Sequence, residues 1–386
     1  MAFPFTLPLV LDGATGTELQ KVGMPAGVCA ERWILDNSQA MASLQRAYAD
    51  AGSGAVYAPT FSTNRAGLKQ HGAGDLSVRE LCFRLVDLSR EATKGRTLIA
   101  GDMSPTGLHL PPVGTTTFDE LVDIFTEQAA ALDEAGVDYF AVETQMSLAE
   151  ARASLMSIRS VSDKPITVSF SCGDSGRTIF GGSLAALLVC LQDMGADAFG
   201  INCCGDLALI TKLLGDMRRY SRVPLIAKPN AGKPVFENGH SLYRMTPVQL
   251  ASSIPDFIRS GAALVGGCCG TTPEHISAIR SALDGFEAIS PSPLVTATCS
   301  SEFGVAEITD STRIEPLDMD DDILSGAMAA EDEGVEVLEV RLRDENDVDG
   351  IIENQYAIRL PLCIECDDWG LMDRFLHLYN GKPMIR

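Results

Sequence analysis

Between residue 9 and residue 287 one pattern recurs eight times: a short apolar run, a few turn-forming residues, then a segment with apolar positions three and four apart. Short bounded runs predict buried strands, and the three-and-four spacing predicts amphipathic helices. The apolar runs are 9–11, 54–57, 97–100, 139–142, 166–169, 198–201, 225–227 and 263–265. The clearest helical stretches between them are 77–94, 117–135, 148–160, 183–194 and 246–260. Glycine follows several of these, as in Glu134-Ala135-Gly136 and Asp193-Met194-Gly195, the usual signal for a helix C-terminus. Eight strand–helix units in under roughly 300 residues predict a (β/α)8 TIM barrel, an α/β fold. An open doubly wound sheet is the alternative. It would carry a glycine-rich phosphate turn after its first strand, and Asp12-Gly13-Ala14-Thr15-Gly16-Thr17 has two glycines at the wrong spacing for one.

The texture changes after Phe286. Ser290-Pro291-Ser292-Pro293 reads as a linker, which divides the chain into a barrel over 1–287 and a small α/β unit over 288–386. In the second part strands are expected at 294–298, 335–340 and 362–365, and helices at 323–333, 347–357 and 369–379. This extension has about 95 residues, whereas a closed barrel needs at least roughly 200. Cys363 and Cys366 form a C-x-x-C at a predicted strand end, where a structural reading outweighs a metal or redox one.

A barrel collects its chemistry where the strands end. Asp12, Thr60, Asp102, Glu143, Ser171, Cys203, Asn230 and the Cys268-Cys269 pair all lie just past the ends of predicted strands. Adjacent cysteines are badly placed to bond each other and well placed to grip a soft metal ion. They are also compatible with a pair of small buried residues. Cys203 and Cys268-Cys269 follow the sixth and eighth strands, so their sulfurs would converge over the barrel mouth. Three thiolates would leave one coordination position open, as in catalytic zinc sites. Cys204 reads as a buried neighbour outside that set. Cys29, Cys82, Cys172 and Cys190 read as structural, and His275 as a surface residue.

Composition narrows the partners. With 52 acidic and 30 basic residues the formal net charge is −22, which argues against nucleic acid or an anionic membrane. Eleven cysteines, an odd number, point to reduced thiols and a cytoplasmic location. The N-terminal residues have no basic, apolar signal pattern, and no stretch reaches the length of a membrane span.

Three motifs together, Asp12-Gly13-Ala14-Thr15-Gly16-Thr17, Gly200-Ile201-Asn202-Cys203 and Gly266-Gly267-Cys268-Cys269-Gly270-Thr271-Thr272-Pro273, resemble the zinc-dependent homocysteine S-methyltransferase family. Lys228-Pro229-Asn230-Ala231-Gly232-Lys233-Pro234 is most similar to the homocysteine domain of cobalamin-dependent methionine synthases. The resemblance implies a barrel that methylates the sulfur of homocysteine to give methionine, with zinc held by Cys203, Cys268 and Cys269. It also implies that Asp12 and Glu143 receive the substrate ammonium and that the Gly13-Ala14-Thr15 turn receives its carboxylate. Asn230 would lend its amide oxygen to zinc when substrate is absent. No corrinoid signature is present, so methylcobalamin would arrive on another domain or chain. Another thiol acceptor, a simple donor such as S-methylmethionine, or a non-catalytic zinc-bound assembly role are the alternatives. The extension resembles the first part of a pterin-binding domain but lacks its opening motif, and no folate binding is expected of it.

Overall fold

A computed structural model describes residues 4–237, 240–320 and 322–386; residues 1–3 at the chain start and Asp321 in the acidic stretch lie outside the described residues. Eight parallel strands make one sheet. In chain order they are β1 (Leu9–Val10), β2 (Ala55–Tyr57), β3 (Leu98–Met103), β4 (Tyr139–Gln145), β5 (Ile166–Phe170), β6 (Ala198–Asn202), β7 (Leu225–Lys228) and β8 (Ala262–Val265). Each pairs with the next from β2 to β8, and β8 pairs with β1. The last seam, between β1 and β2, is bridged by isolated contacts, among them the Ser53 hydroxyl donating to Leu11 O at 3.3 Å. The Gly54 N–H donates to Val10 O at 2.7 Å, and the Tyr57 N–H donates to the Asp12 carboxylate at 2.8 Å. The fold is a (β/α)8 barrel, as the periodicity predicts.

Side chains alternate along a strand, so every second residue points inward. Leu11, Ala55, Ala100, Tyr139, Ala141, Ala198 and Ile226 pack the interior, small residues fitting beside tyrosine rings. Two positions further along the same strands stand Asp102, Glu143 and Lys228, and four positions beyond Ala198 stands Asn202. The alternation that fills the core therefore carries polar groups into the top layer. Residues of the opposite parity, among them Val142, Val168, Phe199 and Ile201, bury against the surrounding helices.

The stretch 246–260, expected as one helix, is two: Pro247–Ala251 and Ile254–Arg259. Pro255 has no N–H to give the carbonyl four residues back, and its ring crowds that carbonyl, so the helix breaks at Ser252-Ser253. No helix among the described residues is long and apolar enough to cross a membrane.

Beyond the linker, the strand expected at 294–298 lies instead at Thr298–Ser300 and pairs antiparallel with Val305–Glu307. Four parallel strands follow in chain order: Ile314–Pro316, Val337–Arg341, Leu362–Glu365 and Met384–Ile385. Leu338, Val340, Ile364 and Phe375 pack on the helical side of this sheet. Val337 and Cys363 pack on the other side, against Cys299 and Ala306 of the hairpin. The C-x-x-C is thus divided, because the Cys366 thiol donates to Asp368 O at 3.2 Å.

Arg152, from the barrel helix Leu148–Val161, anchors this extension. It is buried and donates to Leu376 O at 2.8 Å, His377 O at 3.1 Å and Asn380 Oδ1 at 3.1 Å, carbonyls at the end of the helix Trp369–Leu378. A cation suits that helix end. Arg219 reaches the hairpin with a forked pair to Glu307 at 2.7 and 2.8 Å. Replacing Arg152 by Ala leaves buried carbonyls without donors, so it should destabilise the chain by roughly 2–4 kcal/mol in chemical denaturation. An unchanged unfolding midpoint would show that the extension is anchored elsewhere.

Candidate active site

The turns that follow β1 and β8 are stitched together by short polar contacts. The Gly267 N–H donates to Asp12 O at 2.9 Å, the Gly270 N–H to Thr17 Oγ1 at 3.0 Å, and the Ala14 N–H to Thr271 Oγ1 at 3.1 Å. Tyr48 adds a hydroxyl bond to Ala14 O at 2.7 Å. Glycine is required where these turns touch: a Cβ on Gly13 would come 2.8 Å from Thr271 Oγ1 and the Tyr48 ring, and one on Gly267 would come 2.3 Å from Thr271 Oγ1. Because the Ala14 amide is already committed, a carboxylate arriving at this turn finds only the Gly13 and Thr15 amides.

The turns after β6, β7 and β8 are joined in the same way. The Cys203 N–H donates to Lys228 O at 3.2 Å, the Asn230 N–H to Cys204 O at 2.9 Å, and the Cys268 N–H to Pro229 O at 2.7 Å. This brings the sulfurs of Cys203, Cys268 and Cys269 within 4.8 Å of one another, with Cys203 and Cys269 at 3.8 Å. Cys203 takes a left-handed backbone, φ 56°, which turns its side chain away from that of Cys204. Cys204 is 5% exposed and packs in the apolar core, outside the three-sulfur group. Contact with the neighbouring thiols lowers the Cys269 thiol below its ordinary value and raises that of Cys203. Asn230 is buried, and its Oδ1 has no hydrogen-bond partner among the described residues. Three clustered thiols and one orphaned amide oxygen on the adjoining turn fit the donor set of a four-coordinate soft ion such as zinc.

Sequence reasoning missed the groups that hold this arrangement. Asn202 and Thr144 clasp each other: the Thr144 N–H donates to Asn202 Oδ1 at 3.0 Å, and Asn202 Nδ2 donates to Thr144 Oγ1 at 2.6 Å. Asn202 Nδ2 also lies 3.9 Å from the Cys268 sulfur. Thr144 is left-handed as well, at φ 58°. Lys228, only 3% exposed, places its ammonium 3.1 Å from Glu143, 3.4 Å from Asp12 and 3.4 Å from the centre of the Tyr57 ring. Burial pulls the lysine pKa down, but Glu143 and Asp12 outweigh it and hold it above the ordinary value. Burial also pushes Asp12 up to about 6 despite Lys228, and raises Glu143. Asn202 and Lys228 lay inside quoted motifs and Thr144 did not, and a lone lysine or asparagine at a strand end carries no pattern of its own.

A cavity of about 380 Å³ is lined by both groups: Asp12, Gly13, Asp102, Glu143 and Lys228 together with Cys203, Cys268 and Cys269. Thr60 and Ser171 do not line it: the Thr60 hydroxyl donates to Asp102 O at 2.9 Å, and the Ser171 N–H to Gln145 O at 3.0 Å. His275 corrects the surface assignment. It is 5% exposed, with Nδ1 on the Thr272 N–H at 3.2 Å and Nε2 3.0 Å from Met245 O, so it caps the helix Pro273–Ala282.

A (β/α)8 barrel whose catalytic face carries a thiol cluster and an ion-lined pocket defines a class of barrel enzyme. Residues 9–283 match the family described as homocysteine S-methyltransferase, and the chain belongs to that family of enzymes. A methionine synthase from Mycobacterium leprae (strain TN) is 30% identical over 293 residues, which cover 71% of this chain and 24% of that protein. The methionine synthase of Mycobacterium tuberculosis (strain ATCC 25618 / H37Rv) is 29% identical over the same length and coverage. The chain thus spans about a quarter of the length of the curated relatives it matches. Among solved structures, the metallated form of the homocysteine methyltransferase MmuM from Escherichia coli is 26% identical with a TM-score of 0.61, covering 71% of this chain and 95% of that one.

The cysteine geometry generates a prediction for metal analysis. Cys203→Ala, Cys268→Ala and Cys269→Ala should each lose bound zinc, and Cys204→Ala should keep one ion per chain. Full retention in Cys268→Ala would refute the three-sulfur set.

Proposed function

We propose that the chain methylates homocysteine to methionine, with the substrate thiol entering a zinc site made by Cys203, Cys268 and Cys269. The observation that carries this reading is one cavity lined both by the three clustered cysteines and by the carboxyl groups of Asp12 and Glu143. Zinc bound there would supply thiol activation, since a thiol of ordinary pKa near roughly 8.5 is mostly protonated at neutral pH. Asn202 donates toward Cys268 and keeps that ligand oriented. Asp12 and Glu143 carry two negative charges against the single positive charge of Lys228. The surplus charge suits one α-ammonium, which needs such partners once it leaves water. The free amides of Gly13 and Thr15 would take the carboxylate. Asn230 would rest its amide oxygen on the metal when no thiol is bound.

The methyl donor we favour is methylcobalamin presented by another domain or a corrinoid protein, following the likeness to methionine synthases. A small free donor such as S-methylmethionine is the second reading, supported by the match to nearly the whole of a single-barrel homocysteine methyltransferase. Methionine formation from homocysteine, assayed with methylcobalamin and with S-methylmethionine, decides between them; turnover with neither donor and no homocysteine binding would sink the proposal.

Glu143→Gln exchanges a charge-assisted contact for a neutral one. It should weaken homocysteine binding by roughly 1.5–3 kcal/mol in calorimetry, with zinc content unchanged. Unaltered affinity in both Glu143→Gln and Asp12→Asn would put the ammonium elsewhere.

A further inference from the structure

Four acidic residues line the cavity; Glu31 accepts from the Ser62 N–H at 2.9 Å and the Cys29 thiol at 3.4 Å, and the other three are not equivalent. Asp12 is held at both oxygens, by the Tyr57 N–H at 2.8 Å and by Lys228 at 3.4 Å. Glu143 is held by Lys228 at 3.1 Å. Asp102, arriving from β3, has only main-chain bonds: its N–H takes Thr60 Oγ1 at 3.1 Å, and its carbonyl accepts from Thr60 and from Gln128. Its side chain has no hydrogen bond among the described residues. Oδ1 is buried without a partner in a residue only 5% exposed, and the residue lines the cavity.

Leaving a carboxyl in that condition destabilises a fold. Burial, and then the charge of Glu143, raise its pKa well above the ordinary carboxylate value, which is the same strain seen from the proton's side. Local conflicts of this sort concentrate where a second state relieves them. Nothing in the packing needs an acid here: Thr60 and Gln128 hold the main chain, and a neutral side chain would sit in the same place at less expense of solvation.

An α-ammonium has three N–H donors, and Asp12 and Glu143 supply two acceptors. We propose that Asp102 contacts the substrate as the third acceptor for its α-ammonium. Either protonation state offers a lone pair, and an arriving cation favours the ionised form. Asp102 is then a specificity residue for a primary amine, resting on the reading of this pocket as the homocysteine site.

The test uses the zinc-loaded full chain with Asp102→Asn and Asp102→Ser, each compared with wild type in thermal unfolding without substrate, zinc content, and calorimetric binding of two thiols. One thiol is homocysteine; the other is 4-mercaptobutyrate, which keeps the sulfur and carboxylate but lacks the ammonium. The expected result is an unfolding midpoint equal to or above wild type, unchanged zinc, and a homocysteine Kd raised about tenfold or more. Affinity for 4-mercaptobutyrate should stay as in wild type. Unchanged homocysteine affinity, an equal loss for both thiols, or a lowered midpoint in both variants would overturn the role of Asp102. A wild-type protein that binds no homocysteine would instead overturn the pocket assignment, and this proposal with it.

Discussion

The ammonium of Lys228 decides what the mouth of this barrel can hold. It stands among Glu143, Asp12 and the Tyr57 ring in a place from which water is nearly excluded. Two carboxylates sharing so small and dry a space would not both stay ionised unaided, because each raises the proton affinity of the other. The lysine permits both charges and leaves one uncompensated. It also ties β7 to β1 and β4 across the barrel, so the electrostatic balance of the pocket and the relative position of three strands depend on one side chain.

The sulfur end is built by a different means. Its three cysteines come from two turns whose main chains are bonded to the turn between them, and little side-chain packing is involved. Two non-glycine residues there, Cys203 and Thr144, accept left-handed backbones, a conformation that costs roughly 1–3 kcal/mol and persists only where surrounding contacts enforce it. The clasp between Asn202 and Thr144 supplies part of that enforcement. The family match to homocysteine S-methyltransferases gives this strain a setting, since ligand geometry at a metal is set by the groups behind the ligands as much as by the ligands.

The barrel was readable because its signals are local. Alternation and helical spacing repeat within windows of ten or so residues, and the cysteines fall at strand ends that those windows define. What could not be read depends on contacts across the ring. Lys228 meets Asp12 and Glu143, which are 216 and 85 residues away in the chain. Ala14 loses its free amide to Thr271, 257 residues on. His275 looked like a solvent residue at a helix start until Met245, from the preceding strand–helix connection, closed over its second nitrogen. Only Pro255, which divides 246–260, was an overlooked local signal.

Asp12 serves two structures with one carboxylate. Its Oδ2 stands in for a rung of the sheet ladder, taking the Tyr57 amide where β1 and β2 meet, while Oδ1 faces Lys228 and the pocket. The charge of the pocket and the closure of the ring are therefore not separable at this position. A laboratory seeking to re-tool the barrel for a differently charged acceptor would find that libraries randomised at Asp12 are depleted mainly by failures of assembly. The freedom to redesign lies with Glu143 and Asp102, whose main chains are held by strand pairing and whose side chains close no seam.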